Sequence, residues 1–111
     1  MMQLNFEDVI PQDIADNNYG FIYKISVNGR KYVGQKSFNL GVSWKKYTSS
    51  NKIIKDLCKK YTYTLEILDI ASSKRELTYL EVKHMFLNNV LENDEYENGN
   101  CLGKFFRGRL K

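Results

Sequence analysis

With 111 residues, 42% of them hydrophobic and 14% aromatic, the chain is long enough to bury one core and too apolar to be a disordered tail. A single proline, and the absence of any Gly/Ser-rich linker, low-complexity run or solenoid repeat, leave one domain as the simplest organisation. The net charge of +4 hides an uneven spread: residues 1–18 carry four acids and no base, leaving seventeen basic against nine acidic residues, or +8, for the remainder. Such an excess points to a polyanionic partner, or to a surface that only keeps a small protein in solution.

The opening "MMQLNFEDVIPQDIADNN" has acids where a signal peptide needs a basic and then an apolar stretch. No apolar run approaches membrane-spanning length, so a soluble, cytoplasmic protein is expected. Phe6, Val9 and Ile10 give this acidic arm apolar side chains with which to pack on the domain. Gly20 to Val27 alternates as a strand, and Asn28-Gly29 supplies the two positive-φ residues of a tight hairpin turn. The second strand runs from Arg30 to about Lys36, and residues 37–50, "SFNLGVSWKKYTSS", form a connecting loop. "NKIIKDLCKKY" reads as a helix capped by Ser50 or Asn51, with Ile53, Ile54, Leu57, Cys58 and Tyr61 as its buried stripe.

In "YTYTLEILDI", Tyr63, Leu65 and Ile67 alternate with Thr62, Thr64 and Glu66, the period of a third strand. "SKRE", Ser73 to Glu76, is a capping box that opens a helix reaching to about Leu91. The tail is turn-rich, then basic and aromatic. Hairpin, helix, strand and helix together make an α+β domain on a small three-stranded antiparallel sheet flanked by helices. Cys58 and Cys101 form neither a disulfide framework nor a zinc spacing and are expected as buried free thiols.

Pairing across Asn28-Gly29 sets Val27 against Arg30, Ile25 against Tyr32, Tyr23 against Gly34 and Phe21 against Lys36. By the period of two, Tyr23, Tyr32, Gly34 and Lys36 then share one face of the sheet. Gly34, without a side chain, is expected to clear space before the Tyr23 hydroxyl. Two phenols and an ammonium suit a phosphodiester: a phenol can take a proton from water if a cation lowers its pKa, and lysine can neutralise developing phosphate charge. On the last helix Leu77, Leu80, Glu81, His84, Asn88 and Leu91 fall on one side. Glu81 there either holds a hard cation such as Mg²⁺ or pairs with Lys83 or another base. His84, the only histidine, either moves protons or is structural.

The tripeptides Phe21-Ile22-Tyr23 and Tyr32-Val33-Gly34 resemble the paired signature of the GIY-YIG nuclease superfamily. The following order of helix, strand and Glu81-bearing helix ("TYLEVKHMF") matches it, and "SWKKYTSS" and "DEYENGN" resemble segments of small GIY-YIG-type proteins of tailed bacteriophages. The resemblance divides the chain into an acidic arm (1–18), a nuclease-like domain (19–100) and a basic, aromatic tail (101–111). It implies a phage-encoded endonuclease that hydrolyses DNA with Mg²⁺ or Mn²⁺. Residue by residue, Tyr23 matches the tyrosine acting as general base or water-positioner, and Tyr32 the one bonding around the phosphate. Glu81 matches the cation-holding carboxylate, and Asn98 the late asparagine supporting the site.

One departure is plain: the family's phosphate-contacting arginine has no counterpart, since residues 37–74 contain none. Lys36, Lys45 or Lys46 are the candidates to replace it, as a point charge rather than a bidentate fork. Arg30, Lys45, Lys46, Arg107 and Arg109 are further candidates to contact nucleic acid, with Phe105 and Phe106 either stacking on bases or docking in the core. The missing arginine also allows a second reading, a non-catalytic derivative that binds nucleic acid or a host protein.

Overall fold

The structure, a computed structural model, describes residues 4–38, 44, 45, 47, 49 and 51–98, together with the backbone of residues 100, 101, 105 and 106. Two short helices, α1 (Phe6–Val9) and α2 (Gln12–Asn17), lead into strands β1 (Gly20–Val27) and β2 (Arg30–Ser37). After the loop come α3 (Lys52–Lys60), β3 (Tyr63–Ala71) and α4 (Lys74–Leu87). The two-residue strands β4 (Asn100–Cys101) and β5 (Phe105–Phe106) pair with each other. The main sheet is antiparallel in the order β2-β1-β3, so the expected α+β architecture is present, with β1 at its centre.

Local chemistry accounts for the element boundaries. Asn28 and Gly29 take φ of 49° and 79°, the left-handed pair that a two-residue hairpin turn requires. The resulting register pairs Val27 with Arg30, Ile25 with Tyr32, Tyr23 with Gly34 and Phe21 with Lys36, as the sequence predicts. The Asn51 side chain caps α3 by accepting from the Ile54 amide at 3.0 Å. Ser73 caps α4 by accepting from the Glu76 amide at 3.1 Å, while the Glu76 carboxylate reaches back to the Ser72 amide at 2.8 Å. The helix stops four residues short of the expected Leu91. Asn89 turns left-handed at φ 52°, and Asn88 serves as C-cap instead of lying on the helix face.

Alternation along β1 feeds two cores. Phe21, Tyr23, Ile25 and Val27 pack with Phe6, Ile10, Ala15, Phe38, Trp44 and Ile54 on one face. On the other, Ile22, Val33 and Ala71 meet Leu77, Leu80 and Met85 of α4, then Val90, Leu91 and Tyr96. Phe6 and Ile10 pack as expected, but Val9 is exposed. Along α3 the buried stripe is narrower than predicted: Ile54 is buried, Leu57 and Cys58 are partly so, and Ile53 and Tyr61 face outward. Burial pushes the Cys58 thiol up to about 11, so it stays protonated and unreactive.

A β-bulge gives β3 its functional form. Between Ile22 and Tyr23 the partner on β3 jumps from Asp69 to Ile67, leaving one extra residue, Leu68. Tyr63, Leu65 and Ile67 therefore pack with Tyr23, whereas Leu68 and Ala71 turn to the α4 side. Asp69 turns with them and meets the His84 ring, Oδ2 to Nε2 at 3.1 Å.

Candidate active site

Tyr23 and Tyr32 lie on one sheet face, their ring centroids 6.3 Å apart. Described residues of the connecting loop pack over them. Trp44 is buried edge-on against Phe21 and Phe38, Tyr47 stands edge-on to Tyr23 at 6.0 Å, and Ser49 is buried beneath. Lys36, on the same face by register, holds its ammonium 4.5 Å from the centre of the Tyr47 ring, a cation–π contact. Tyr47 was not among the residues singled out for chemistry. The "SWKKY" spacing was its only signal, because nothing local fixes where such a loop lies.

Gly34 acts differently from expectation. A Cβ there would fall 2.5 Å from the Tyr23 hydroxyl, 2.7 Å from its Cζ and 2.8 Å from Tyr32 Cε2. The missing side chain thus makes room for the two tyrosines rather than for a ligand. Tyr23 is fully buried, and among the described residues its hydroxyl makes no hydrogen bond of good geometry, though the Tyr47 and Ser49 hydroxyls stand near enough to act on it. Burial first, then the neighbouring Tyr47 and Tyr32 phenols, push it well above the ordinary tyrosine value, against a smaller opposing effect of Ser49. A phenol so placed stays protonated at neutral pH. A nearby cation would oppose this effect of burial.

Glu81 stands on the other side of β2. Gln35 alternates with Gly34 and Lys36, so its side chain leaves the α4 face, where its amide donates to Glu81 Oε1 at 3.2 Å. Helical spacing correctly placed Glu81 on the inner side of α4, but α4 covers the Ile22/Val33 face and not the tyrosine face. Desolvation pushes the Glu81 carboxyl above its ordinary value, with the Gln35 bond opposing. The ion pair with Lys83 is not formed: the described salt bridges join Arg30 to Glu97, Lys31 to Glu95 and His84 to Asp69. Ile22 pairs with both Gln35 and Asp69, so these two bracket it in one row. Glu81 and His84, one helical turn apart on α4, therefore reach opposite ends of that row. The structure brings His84 to Asp69, not to the tyrosines.

The free edge of β2 is covered by the segment after α4. Lys31 donates to Glu95 O at 2.8 Å and accepts from the Glu97 amide at 2.7 Å. Asn98, buried, continues this pairing with its side chain: Oδ1 accepts from the Val33 amide at 3.0 Å and Nδ2 donates to Val33 O at 2.7 Å. It grips the middle of Tyr32-Val33-Gly34 and supports the site without facing it. Arg30, a nucleic-acid candidate, is bound by Glu97 through Nε at 2.6 Å and through its terminal nitrogen. Lys45 ties α1 to the loop through its carbonyl, which accepts from the Glu7 amide at 3.1 Å. Lys46, Arg107 and Arg109, and the side chains of Phe105, Phe106 and Cys101, lie outside the described residues.

The two chemical faces meet where β2 runs from Gly34 to Lys36, with the tyrosines and Lys36 on one side and Gln35 and Glu81 on the other. A hairpin with this register, a helix, a third antiparallel strand and a glutamate-bearing helix define a GIY-YIG-type domain. Residues 39–102, more than half of the chain, match the family described as "Putative endonuclease segE, GIY-YIG domain", and the chain belongs to that family. The match begins after both tripeptides, so the signature at 21–34 and the family match rest on different residues. No curated protein and no solved structure matches the chain. Among the described residues no helix is long and apolar enough to cross a membrane.

Proposed function

We propose that this chain is a metal-dependent endonuclease that hydrolyses DNA phosphodiester bonds, encoded by a tailed bacteriophage and acting in the host cytoplasm. Family membership supports a nuclease that binds nucleic acid. The observation that carries the reading is the Tyr23–Tyr32 pair seated on Gly34, with Lys36 beside it, at the edge strand that Glu81 approaches from behind.

Glu81 fits a cation. It is a half-buried carboxylate whose described side-chain partner is the neutral Gln35 amide, and a desolvated acid of this kind gains from a positive charge. No group of three or more His, Cys, Asp or Glu that could hold a metal occurs among the described residues. One carboxylate plus waters suits Mg²⁺ or Mn²⁺ and excludes a zinc-type cage. Bound there, the cation would offset charge on the phosphate and its leaving oxygen.

The chain's own groups do the rest. Lys36, held on the Tyr47 ring, stands in for the missing arginine and stabilises the charge that builds as water adds to phosphorus and the bond to the leaving oxygen breaks. Tyr32, the partly exposed member of the pair, bonds the phosphate, and Tyr23, enclosed behind it, holds the Tyr32 ring in place. Asn98 keeps Tyr32 and Gly34 in register.

The absence of arginine from residues 37–74 favours one alternative, a derivative that binds nucleic acid or a host protein without cutting. A cleavage assay on plasmid and single-stranded DNA, with Mg²⁺ or Mn²⁺ and with chelator, separates the two. Metal-dependent nicking is the expected result, and no cleavage of any substrate at high protein concentration leaves the binding reading.

A further inference from the structure

Helix α4 has an outer face that the sheet does not use. Leu77, Leu80 and Met85 fill its inner side, but Tyr79 is 64% exposed and Phe86 50% exposed. At 100° per residue Arg75, Tyr79 and Phe86 fall in one outward stripe, with Lys83 on its flank. The bases on this part of the helix are Lys74, Arg75 and Lys83, all exposed. Of the two acids near them, Glu76 accepts from the Ser72 amide at 2.8 Å and Glu81 turns inward to Gln35 at 3.2 Å. The surface is therefore net positive and aromatic at once.

At its N-terminal end this face hollows into an open groove of about 600 Å³, walled by Lys74, Arg75, Thr78 and Tyr79. That volume lies in the range of clefts that hold small ligands. The lining residues differ in kind: two cations, a threonine hydroxyl and an exposed phenol ring. Lys74 and Thr78 also share a helical stripe with Glu81, three and seven residues away, or about 5–10 Å along the axis. Two or three stacked nucleotides, at roughly 3.4 Å each, cover that distance.

We propose that this groove holds one nucleotide of a single-stranded segment of nucleic acid, its phosphate on Lys74 and Arg75 and its base stacked on Tyr79, with Lys83 and Phe86 extending the track. The charge selects a polyanion, and the open ring selects an unpaired base, since a base inside a duplex has no free face to offer. None of these residues belongs to the tyrosine face or the Glu81 site. The inference rests on the nuclease reading only in taking nucleic acid as substrate, and places the strand beside the cut rather than at it.

The test is binding, not cleavage. Fluorescence anisotropy of a labelled thymidine oligonucleotide, without divalent metal, is measured for the parent, Tyr79→Ala, Tyr79→Phe and Arg75→Ala, with circular dichroism confirming the fold of each. Loss of the ring is expected to weaken binding about 5- to 100-fold, and Tyr79→Phe to restore it. Arg75→Ala is expected to lower the slope of log affinity on log salt by about 0.7. Equal affinity of parent and Tyr79→Ala overturns the proposal, as does a parent that binds duplex but not the oligonucleotide. The spacing of Arg75, Tyr79, Val82 and Phe86 also suits a second copy of α4. A parent dimer that Tyr79→Ala dissociates, with oligonucleotide affinity unchanged, would assign the face to self-association instead. Failure of any of these leaves duplex cleavage by the parent, and so the nuclease reading, separately measurable.

Discussion

Replacing Gly34 with alanine adds one methyl group where three atoms already stand. The new Cβ would lie 2.5 Å from the Tyr23 hydroxyl, 2.7 Å from Tyr23 Cζ and 2.8 Å from Tyr32 Cε2, all inside contact distance. Tyr23 cannot swing aside, because Phe6 at 5.1 Å and Tyr47 at 6.0 Å hold its ring and none of it reaches solvent. Overpacking of this sort costs about 1–3 kcal/mol. For a domain of this size that is a fall in Tm of roughly 5–20 °C. Thermal and urea unfolding followed by circular dichroism measure it, with an unchanged m-value expected. Gly34→Ala combined with Tyr23→Phe should recover part of the loss, because the nearest clashing atom has gone. A midpoint within about 2 °C of the parent would refute the packing of both tyrosines on Gly34.

Three further outcomes are expected. Tyr23→Phe removes a buried hydroxyl that makes no hydrogen bond of good geometry among the described residues, so it should raise stability, by at most the ~1–3 kcal/mol such a group costs; a destabilised variant would show that Tyr47 or Ser49 bonds it. Lys36→Ala should lower turnover about 10²–10³-fold with little loss of DNA affinity, and Lys36→Arg should retain activity; steady-state cleavage alongside binding separates the two effects. Because burial raises the Glu81 pKa in the folded state, its stabilising contribution is complete below the ordinary glutamate range and is lost as pH rises through the folded value. Glu81→Gln should therefore be the more stable protein at neutral pH, with the gap closing on acidification and Mg²⁺ stabilising only the parent, all read by urea unfolding.

The parts of the fold that local chemistry determines were legible in the sequence. Asn28-Gly29 fixed the hairpin register, Ser73 and the Ser50-Asn51 pair marked the two main helix starts, and Tyr63, Leu65 and Ile67 kept their alternation. What was not legible depends on long-range packing. No local pattern in β1 or α4 says which face of the sheet the helix covers, so the side on which Glu81 stands could not be read from the sequence. The bulge at Leu68 that turns Asp69 toward His84 breaks a period of two that reads as unbroken. Arg30 looks free until Glu97, distant in sequence, returns along the β2 edge. The position of Tyr47 and the burial of Tyr23 depend likewise on long-range packing around Trp44.

The account stands most directly on one comparison: cleavage of supercoiled plasmid by the parent and by Glu81→Gln, side by side, with Mg²⁺ and with chelator. The parent is expected to nick and linearise the plasmid only when the metal is present. Glu81→Gln, folded and binding DNA as the parent does, is expected to leave it intact. Cutting by the variant at the parent's rate, or by the parent in chelator, would contradict a cation held at Glu81 behind the tyrosine face.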